Sequence, residues 1–337
     1  MLTRHIGVDI FADGESVMET LSAYLKSISY TDNSGGSSDT AEIELRDDEQ
    51  KFIGDFLPKK GLTVSIILWT ESWSGDGINE LNLGVFELDE MTLSYPPSIA
   101  RLKLNSISQN SGLRQNNESH SWEDCKLSRI ARDVADKAGV QLVYEATDDP
   151  TIRRAEQVET SALSFLEKLC TDSGLALKVT DGKLIVFDET KLEAQAPVAR
   201  LVRGSSTIKR FSATSTLQEV YRRAEVTYSH GQKSETISGS FDAPDKSEGK
   251  VLKINQRVES KAEADRLAKN ALRDKNKKET QVRVTTVGDF KLLSGNVVEL
   301  VNHGKFDGKY LIEKSTHKID SSGYTVDLEL RKCLNGY

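Results

Sequence analysis

Cysteine is scarce in this chain. Its three residues, Cys125, Cys170 and Cys333, are odd in number and far apart. Such a set builds no disulfide framework and fits a reducing compartment. Long apolar runs are absent too. The longest, Val64 to Trp69, is the length of a strand, well short of the ~20 residues of a membrane span. The opening Met1-Leu2-Thr3-Arg4-His5 has no apolar signal core, so no secretory export is expected. Neither sign of charge dominates: 45 Lys+Arg face 52 Asp+Glu, for a net charge of −7. A dedicated duplex-DNA binder would carry a basic excess. Only 6 prolines and 23 glycines occur among 337 residues, which excludes collagen-like and low-complexity chains. With a hydrophobic share of 37% and a mean hydropathy of −0.45, the chain reads as two or three soluble domains of roughly 100–200 residues each.

Periodicity supplies what composition does not. Ala41-Glu42-Ile43-Glu44-Leu45 and Ile99-Ala100-Arg101-Leu102-Lys103-Leu104 alternate with period two, as half-buried strands do. Leu62 to Trp69 and Gly84 to Leu93 join them, separated by turn clusters at Asp32–Asp39, Trp73–Gly77 and Tyr95-Pro96-Pro97. The period then changes. Leu127, Ile130, Ala131, Val134, Ala135 and Ala138 share one helical face, with Ser121 and Asp124 as a capping box and Gly139 as the stop. Ala162, Phe165, Leu166, Leu169 and Cys170 mark a second helix between Ser161 and Gly174. Asp181-Gly182 then turns a hairpin, because a type I′ turn needs positive φ. Lys191 to Val198 reads as a linker. Strands return at 207–213, 223–228, 281–287, 297–301, 309–315 and 324–331, interrupted by a helix carrying Ala264, Leu267, Ala268, Ala271 and Leu272.

The two β regions echo one another. Lys60-Gly61-Leu62-Thr63-Val64 has a counterpart in Ser294-Gly295-Asn296-Val297-Val298, and Gly84-Val85-Phe86-Glu87-Leu88 in Gly308-Lys309-Tyr310-Leu311-Ile312. Each leads through a turn into an alternating last strand, ending in Leu104 and Leu330. Any two antiparallel meanders share something of this; two copies of one barrel share all of it.

No constellation for catalysis stands out: there is no phosphate loop, nucleophile elbow or HExxH helix, and no catalytic, cofactor or metal residue is assigned. His303 and His317 fall in the closing meander as surface or turn residues or as a metal pair without a third ligand. Asp47-Asp48-Glu49 reads as a strand-end turn, and Asp148-Asp149 is the other carboxylate cluster. Paired carboxylates serve glycoside hydrolysis only at a set separation. The Asp32–Asp39 cluster lacks the ligand order of a calcium loop and reads as a hairpin loop. Asn117-Glu118-Ser119 matches a glycosylation sequon that a chain kept inside the cell does not use. Lys269, Arg273, Lys275, Lys277 and Lys278 form a solvated helix end favoured by the helix dipole, a partner surface, or a nucleic-acid patch. Trp69 and Trp73 flank a loop, as core residues or as anchors for a neighbouring subunit. The candidate interface residues are therefore Trp69, Trp73, Lys269, Arg273 and Lys277.

A family resemblance runs through the chain in order. Tyr30-Thr31-Asp32-Asn33, Ser38 to Asp47 and Pro58-Lys59-Lys60-Gly61 resemble the opening of the phage late control protein D family. Leu83 to Glu90, Leu113-Arg114, Ser121-Trp122, Phe165 to Cys170, Asp181 to Leu184, Ala262-Glu263-Ala264, Phe306 to Ile312, His317 and Gly323-Tyr324-Thr325 continue it. The resemblance implies a tail hub similar to the baseplate hub of T-even phages and to the N-terminal part of type VI secretion spike proteins. It implies an α+β, mainly β fold: two similar antiparallel β-barrel tube domains at 1–112 and 191–337, a small α/β domain at 113–190, and a helical insertion at about 241–282. The expected role is a non-enzymatic homotrimer that adapts a sixfold tail tube to a threefold spike. Its partners would be a tail spike protein, a tail tube or tube-initiator protein and a tape measure protein, with DNA meeting it only in passage. Its place would be the virion tail, after assembly in the host cytoplasm. A peptidoglycan hydrolase and a monomeric scaffold are the alternatives.

Overall fold

The computed structural model describes residues 4–54, 56–73, 77–108, 111–113, 118–229 and 236–337. Residues 74–76 of the second turn cluster, Arg114 and Asn117 lie outside the described residues. The first stretch holds strands β1 (His5–Ala12), β2 (Glu15–Ser16), β3 (Leu25–Asn33), β4 (Thr40–Arg46), β5 (Thr63–Glu71), β6 (Ile78–Ser94) and β7 (Ile99–Asn105), and the short helix α1 (Met18–Leu21). The middle holds β8 (Glu118–Lys126), α2 (Leu127–Ala138), β9 (Gln141–Tyr144), β10 (Thr151–Thr160), α3 (Ala162–Asp172), β11 (Ala176–Thr180), β12 (Lys183–Phe187) and α4 (Glu189–Glu193). The last stretch begins with β13 (Ala199–Val202), β14 (Ile208–Ser215), β15 (Tyr221–Ser229), β16 (Thr236–Asp242) and β17 (Lys250–Ile254). It continues with α5 (Lys261–Asn276), β18 (Thr280–Val287), β19 (Val297–Val301), β20 (Gly308–Asp320) and β21 (Gly323–Lys332).

The alternating segments form strands because one face of each is apolar. Ala41, Ile43 and Leu45 of β4 and Val64, Ile66 and Leu68 of β5 are buried in one cluster with Leu88 and Leu104. Val282, Val284, Val298, Tyr310, Ile312, Val326, Leu328 and Leu330 build a second such cluster. Each fully buried aliphatic side chain contributes about 1.5–3 kcal/mol. The fold is α+β and mainly β.

The two strand sets have one topology. The first runs β3-β4-β7-β6-β5-β1, the second β14-β18-β21-β20-β19-β13. Register agrees pair by pair. Ala41 faces Leu104 and Leu104 faces Leu88 in the first set; Val282 faces Leu330 and Leu330 faces Ile312 in the second. Both sets shift register one residue later, between Leu88 and Glu90 and between Ile312 and Lys314. Gly61 donates to the Leu88 carbonyl at 3.0 Å and Leu88 to that of Leu62 at 2.9 Å. In the second set Gly295 donates to Ile312 and Ile312 to Asn296, each at 2.9 Å. Both turn glycines have positive φ, +84° at Gly61 and +81° at Gly295, a region glycine enters freely. One edge differs: β1 lies antiparallel to β5, whereas β13 lies parallel to β19.

Neither set closes on itself through the described pairings. Strand β20 of the second set instead pairs with β3 of the first, so both belong to one 13-stranded sheet.

The middle segment matches its sequence signals in part. Ser161 caps α3 by accepting from the Ser164 N–H at 3.2 Å. Asp181 and Gly182 carry φ of 47° and 67° in the turn between β11 and β12. Gly139, at φ 68°, ends α2. The capping box does not form, because Ser121 and Asp124 are strand residues of β8. Asp149 does that work from a distant loop: its carboxylate accepts the Ser128 N–H at 2.9 Å and the Ser128 hydroxyl at 2.8 Å. The expected linker also contains structure. Its start is helix α4, whose Glu193 is buried among ion pairs. The helix of the last stretch is part of a larger α/β unit, in which α5 covers the three-stranded sheet β16-β15-β17 over Ala224, Val226, Ala264, Ala268 and Leu272.

Candidate functional site

The seam between the two strand sets is the polar centre of the molecule. Residues 314–319 of β20 run antiparallel to residues 28–33 of β3, with Thr316 facing Thr31 and His317 facing Tyr30. The two threonine hydroxyls lie 3.1 Å apart on one face. On the other face Ile28, Tyr30, Asp32, Ser315 and His317 are buried. His317 Nε2 lies 3.2 Å from the Leu292 carbonyl, which can only accept, so Nε2 carries the proton. Nδ1 then accepts from the Tyr324 hydroxyl at 2.7 Å. Burial pushes the imidazole pKa down to about 4, so the ring is neutral.

Asp32 fastens three parts of the chain at one end of this seam. Its carboxylate accepts the Ser294 N–H at 2.8 Å and the Ser294 hydroxyl at 2.7 Å. It also pairs with Lys178 of β11, whose ammonium lies 3.6 Å from Asp39 and 3.2 Å from the Ser294 hydroxyl. Burial pushes the Asp39 carboxyl up, against the pull of Lys178. The cluster read as a simple hairpin loop is thus the meeting point of β3, β11 and the turn before β19. Trp73 makes a further cross-link. Its indole donates to the Gly288 carbonyl at 2.7 Å, and its ring lies 5.6 Å from that of Tyr324.

A buried ion cluster fastens α4 and α5 to β21. Arg331 of β21, fully buried, lies 3.1 Å from Glu189 and 2.7 Å from Glu193, both of α4, and 3.2 Å from Glu313. Arg273 of α5 joins Glu189 at 2.8 Å and also pairs with Glu193, while Lys277 reaches Glu189 at 3.5 Å. Burial pushes the Glu189 carboxyl up, but Arg331, Lys277 and Arg273 outweigh it and hold it at about 2. Burial raises the Glu313 carboxyl above its ordinary range.

The candidate interface residues are therefore engaged within the chain. Arg273 and Lys277 belong to the ion cluster and are largely buried, Lys269 lies 5.7 Å over the Phe241 ring, and Trp69 is half-buried against Gly7. Trp73 bridges the two strand sets. His303 and His317 share no partner: His303 contacts the Leu201 carbonyl at 3.2 Å and stacks on Phe211. The Asp47 carboxylate accepts the Phe52 N–H at 3.0 Å, a turn-closing contact. Among the described residues no three His, Cys, Asp or Glu side chains gather as a metal site, and no helix is long and apolar enough to cross a membrane. Sequence reasoning missed Arg331, Glu189, Glu193, Lys178 and Ser294; Arg331 carries no local signal, because it falls on the outward parity of β21 with Asp327 and Glu329, while Tyr324, Val326, Leu328 and Leu330 hold the buried one.

The chain belongs to the YQBQ-like family, whose model matches residues 109–331. It is 26% identical over 174 residues to a probable baseplate hub protein of Escherichia phage 186, and 25% identical over 177 residues to that of Escherichia phage P2. These matches take in 51% and 52% of this chain, and the chain spans less than half of each relative, 42% and 43%. In fold it resembles the 43 kDa tail protein of prophage MuSo2 from Shewanella oneidensis, at a TM-score of 0.73 and 14% identity over 97% of this chain and 98% of that one. It also resembles a tail protein from Neisseria meningitidis MC58, at 0.72 and 13% over 97% and 96%. A further likeness is the Escherichia coli c3393 protein, a type VI secretion component, at 0.56 and 10% over 98% and 76%. The late control protein D resemblance stands with these relatives.

Proposed function

We propose that this chain is a structural hub subunit of a phage or phage-like tail baseplate. Three copies form a ring whose six strand sets present a sixfold-like rim to the tail tube and a threefold rim to the spike. The lumen passes DNA or a tape measure protein. The observation that carries this is the repeat: two strand sets in one chain with the same order, and with the same register and register shift in every strand but the last, β1 against β13. Heterologous contacts that close after three copies convert such a pair into a pseudo-sixfold ring. A net charge of −7 suits a conduit for a polyanion, which like charge repels. The reading gives the chain no catalytic role, and the carboxylates of Asp47 and Asp149 already serve a turn and a helix end. The domains are two strand sets, an α/β unit between them and an α/β insertion in the second, and assembly takes place in the host cytoplasm. Mass measurement in solution, alone and with the cognate spike, tests the reading: a trimer supports it, and a monomer under both conditions overturns it.

A further inference from the structure

The parts of this molecule are fastened in two different ways. The two strand sets share a sheet and apolar side chains: Phe290 and Ile319 pack against both of their cores, and Ile6 and Trp73 of the first reach the core of the second. The two α/β units have cores of their own. Leu127, Ile130, Leu166, Leu184 and Val186 lie in one, and Ala224, Val226, Ala264, Ala268 and Leu272 in the other. Among the described residues no strand of either set contributes to these two cores. Only Ile107, on the connection after β7, and Tyr337, on the tail after β21, reach them from outside.

The α/β units are joined to each other. The Asn270 amide of α5 donates to the Asp172 carbonyl of α3 at 3.2 Å, and that of Gln256 to the Asp172 carboxylate at 3.3 Å. Gly174 lies so close to Asn270 that an added Cβ would sit 2.6 Å from its side-chain oxygen. Arg153 lies 3.9 Å from Glu259.

Charge holds this pair to the strand sets. Lys178 of β11 enters the cluster of Asp32, Asp39 and Ser294. Arg273 and Lys277 of α5 enter the Glu189 and Glu193 pair, which Arg331 of β21 grips from the other side. An open cleft of about 390 Å³ lies beside both latches, lined by Ser34, Gly36, Glu167, Arg273, Lys277 and Glu313 among others. An interface with a large apolar core cannot part without exposing that core to water. A charged one parts at lower cost, because each ion regains hydration as it leaves, and domains joined without an apolar interface are the ones that move.

The connections suit such a movement. Helix α4 stays with the strands, where Glu193 accepts the Leu334 N–H at 3.0 Å. The pivot therefore falls between β12 and α4, at Asp188. Its carboxylate accepts the Thr147 N–H at 3.1 Å, and Lys191 of α4 reaches the Glu145 carbonyl close by at 2.9 Å. The remaining connections are the segments after β7, after β14 and before β18.

We propose that the two α/β units are one rigid flap, hinged at these connections and held closed on the strand sets by the Lys178 latch and the Arg273–Lys277 latch. Parting the latches swings the pair as one piece, opens the cleft and leaves the sheet intact. The inference concerns a single chain and does not depend on the ring proposed above.

Pulsed electron spin resonance on the full chain tests it, with labels on keto side chains introduced at the exposed positions Arg129 of α2, Lys261 of α5 and Arg283 of β18. In the Lys178→Met/Arg273→Met/Lys277→Met variant both distances to position 283 are expected to shift and broaden, while the distance between 129 and 261 keeps its native value. Native distances to 283 in that variant overturn the latches, and a changed distance between 129 and 261 overturns the single flap. If the variant loses its far-ultraviolet circular dichroism, Lys178→Gln/Arg273→Gln/Lys277→Gln, which keeps a donor at each position, is read by the same outcomes. Loss of the fold in both variants also overturns the flap, whose release is to leave the sheet intact.

Discussion

His317 and Arg331 show how much of this molecule depends on residues that look ordinary in a sequence. His317 is neutral because burial holds its pKa near 4, against 6.5 for the free side chain. Its contribution to stability is therefore fully present above pH about 6.5 and is lost as pH falls through that window to about 4. The shift corresponds to something on the order of 3 kcal/mol. Melts of the wild type and His317→Gln across pH 7 to 4 are expected to show a shallower loss in the variant. Glu189 acts at lower pH: its depressed pKa stabilises the fold above about 4.5, and that contribution is lost as pH falls toward 2. Arg331→Met leaves the Glu189 and Glu193 carboxylates short of a buried counter-charge. Denaturant unfolding is expected to register a loss of about 3–5 kcal/mol. None of these partnerships was legible in the sequence. Arg331 and Glu189 are 142 positions apart, and Asp32 and Ser294 are 262 apart. Residue chemistry alone names the charges, and only the fold says which of them meet.

Elements were read far better than residues, because strand alternation and helical faces are local. The strands at 41–45 and 99–104, the helices at α2, α3 and α5, and the Asp181-Gly182 hairpin all appear. The misses also have local causes. Strands β1 and β3 carry polar residues such as Asp9 and Asp32 among their apolar ones, and β3 buries Asp32 only because Lys178 and Ser294 meet it. The capping box failed because a Ser-x-x-Asp pattern also fits a strand, and the real cap comes from Asp149. Two element-scale substitutions have clear outcomes. Ser161→Ala removes the α3 cap and is expected to cost about 1 kcal/mol in a denaturant melt. Gly239 of β16 lies so close to α5 that an added Cβ would sit 2.5 Å from the Asp265 backbone nitrogen. Gly239→Ala must push strand and helix apart, at about 1–3 kcal/mol. Hydrogen exchange is expected to place the lost protection in β15–β17 and α5, with β3–β7 unchanged.

At the scale of the whole molecule, the repeat was visible in the sequence as two glycine turns and two alternating last strands. Its depth was not. The shared register shift and the paired glycine hydrogen bonds belong to backbone geometry, which many sequences satisfy. The edge-to-edge union of the two sets was not legible either, since pairing between distant strands leaves no periodic mark.

One loop decides how far the two halves of the chain can be interchanged. In the first strand set residues 34–39 connect β3 to β4; at the same position in the second set residues 216–279 hold the whole β15–β17 and α5 unit. In a ring of three copies every other hairpin would therefore carry a large projection, and its neighbours none. The strands beneath would repeat every sixth of a turn while the outline above them repeats every third. A partner that touches the strands would count six equivalent places; one that grips the projections would count three. The change of symmetry would then require no strain in the sheet, because it is carried by what one connection was given to hold.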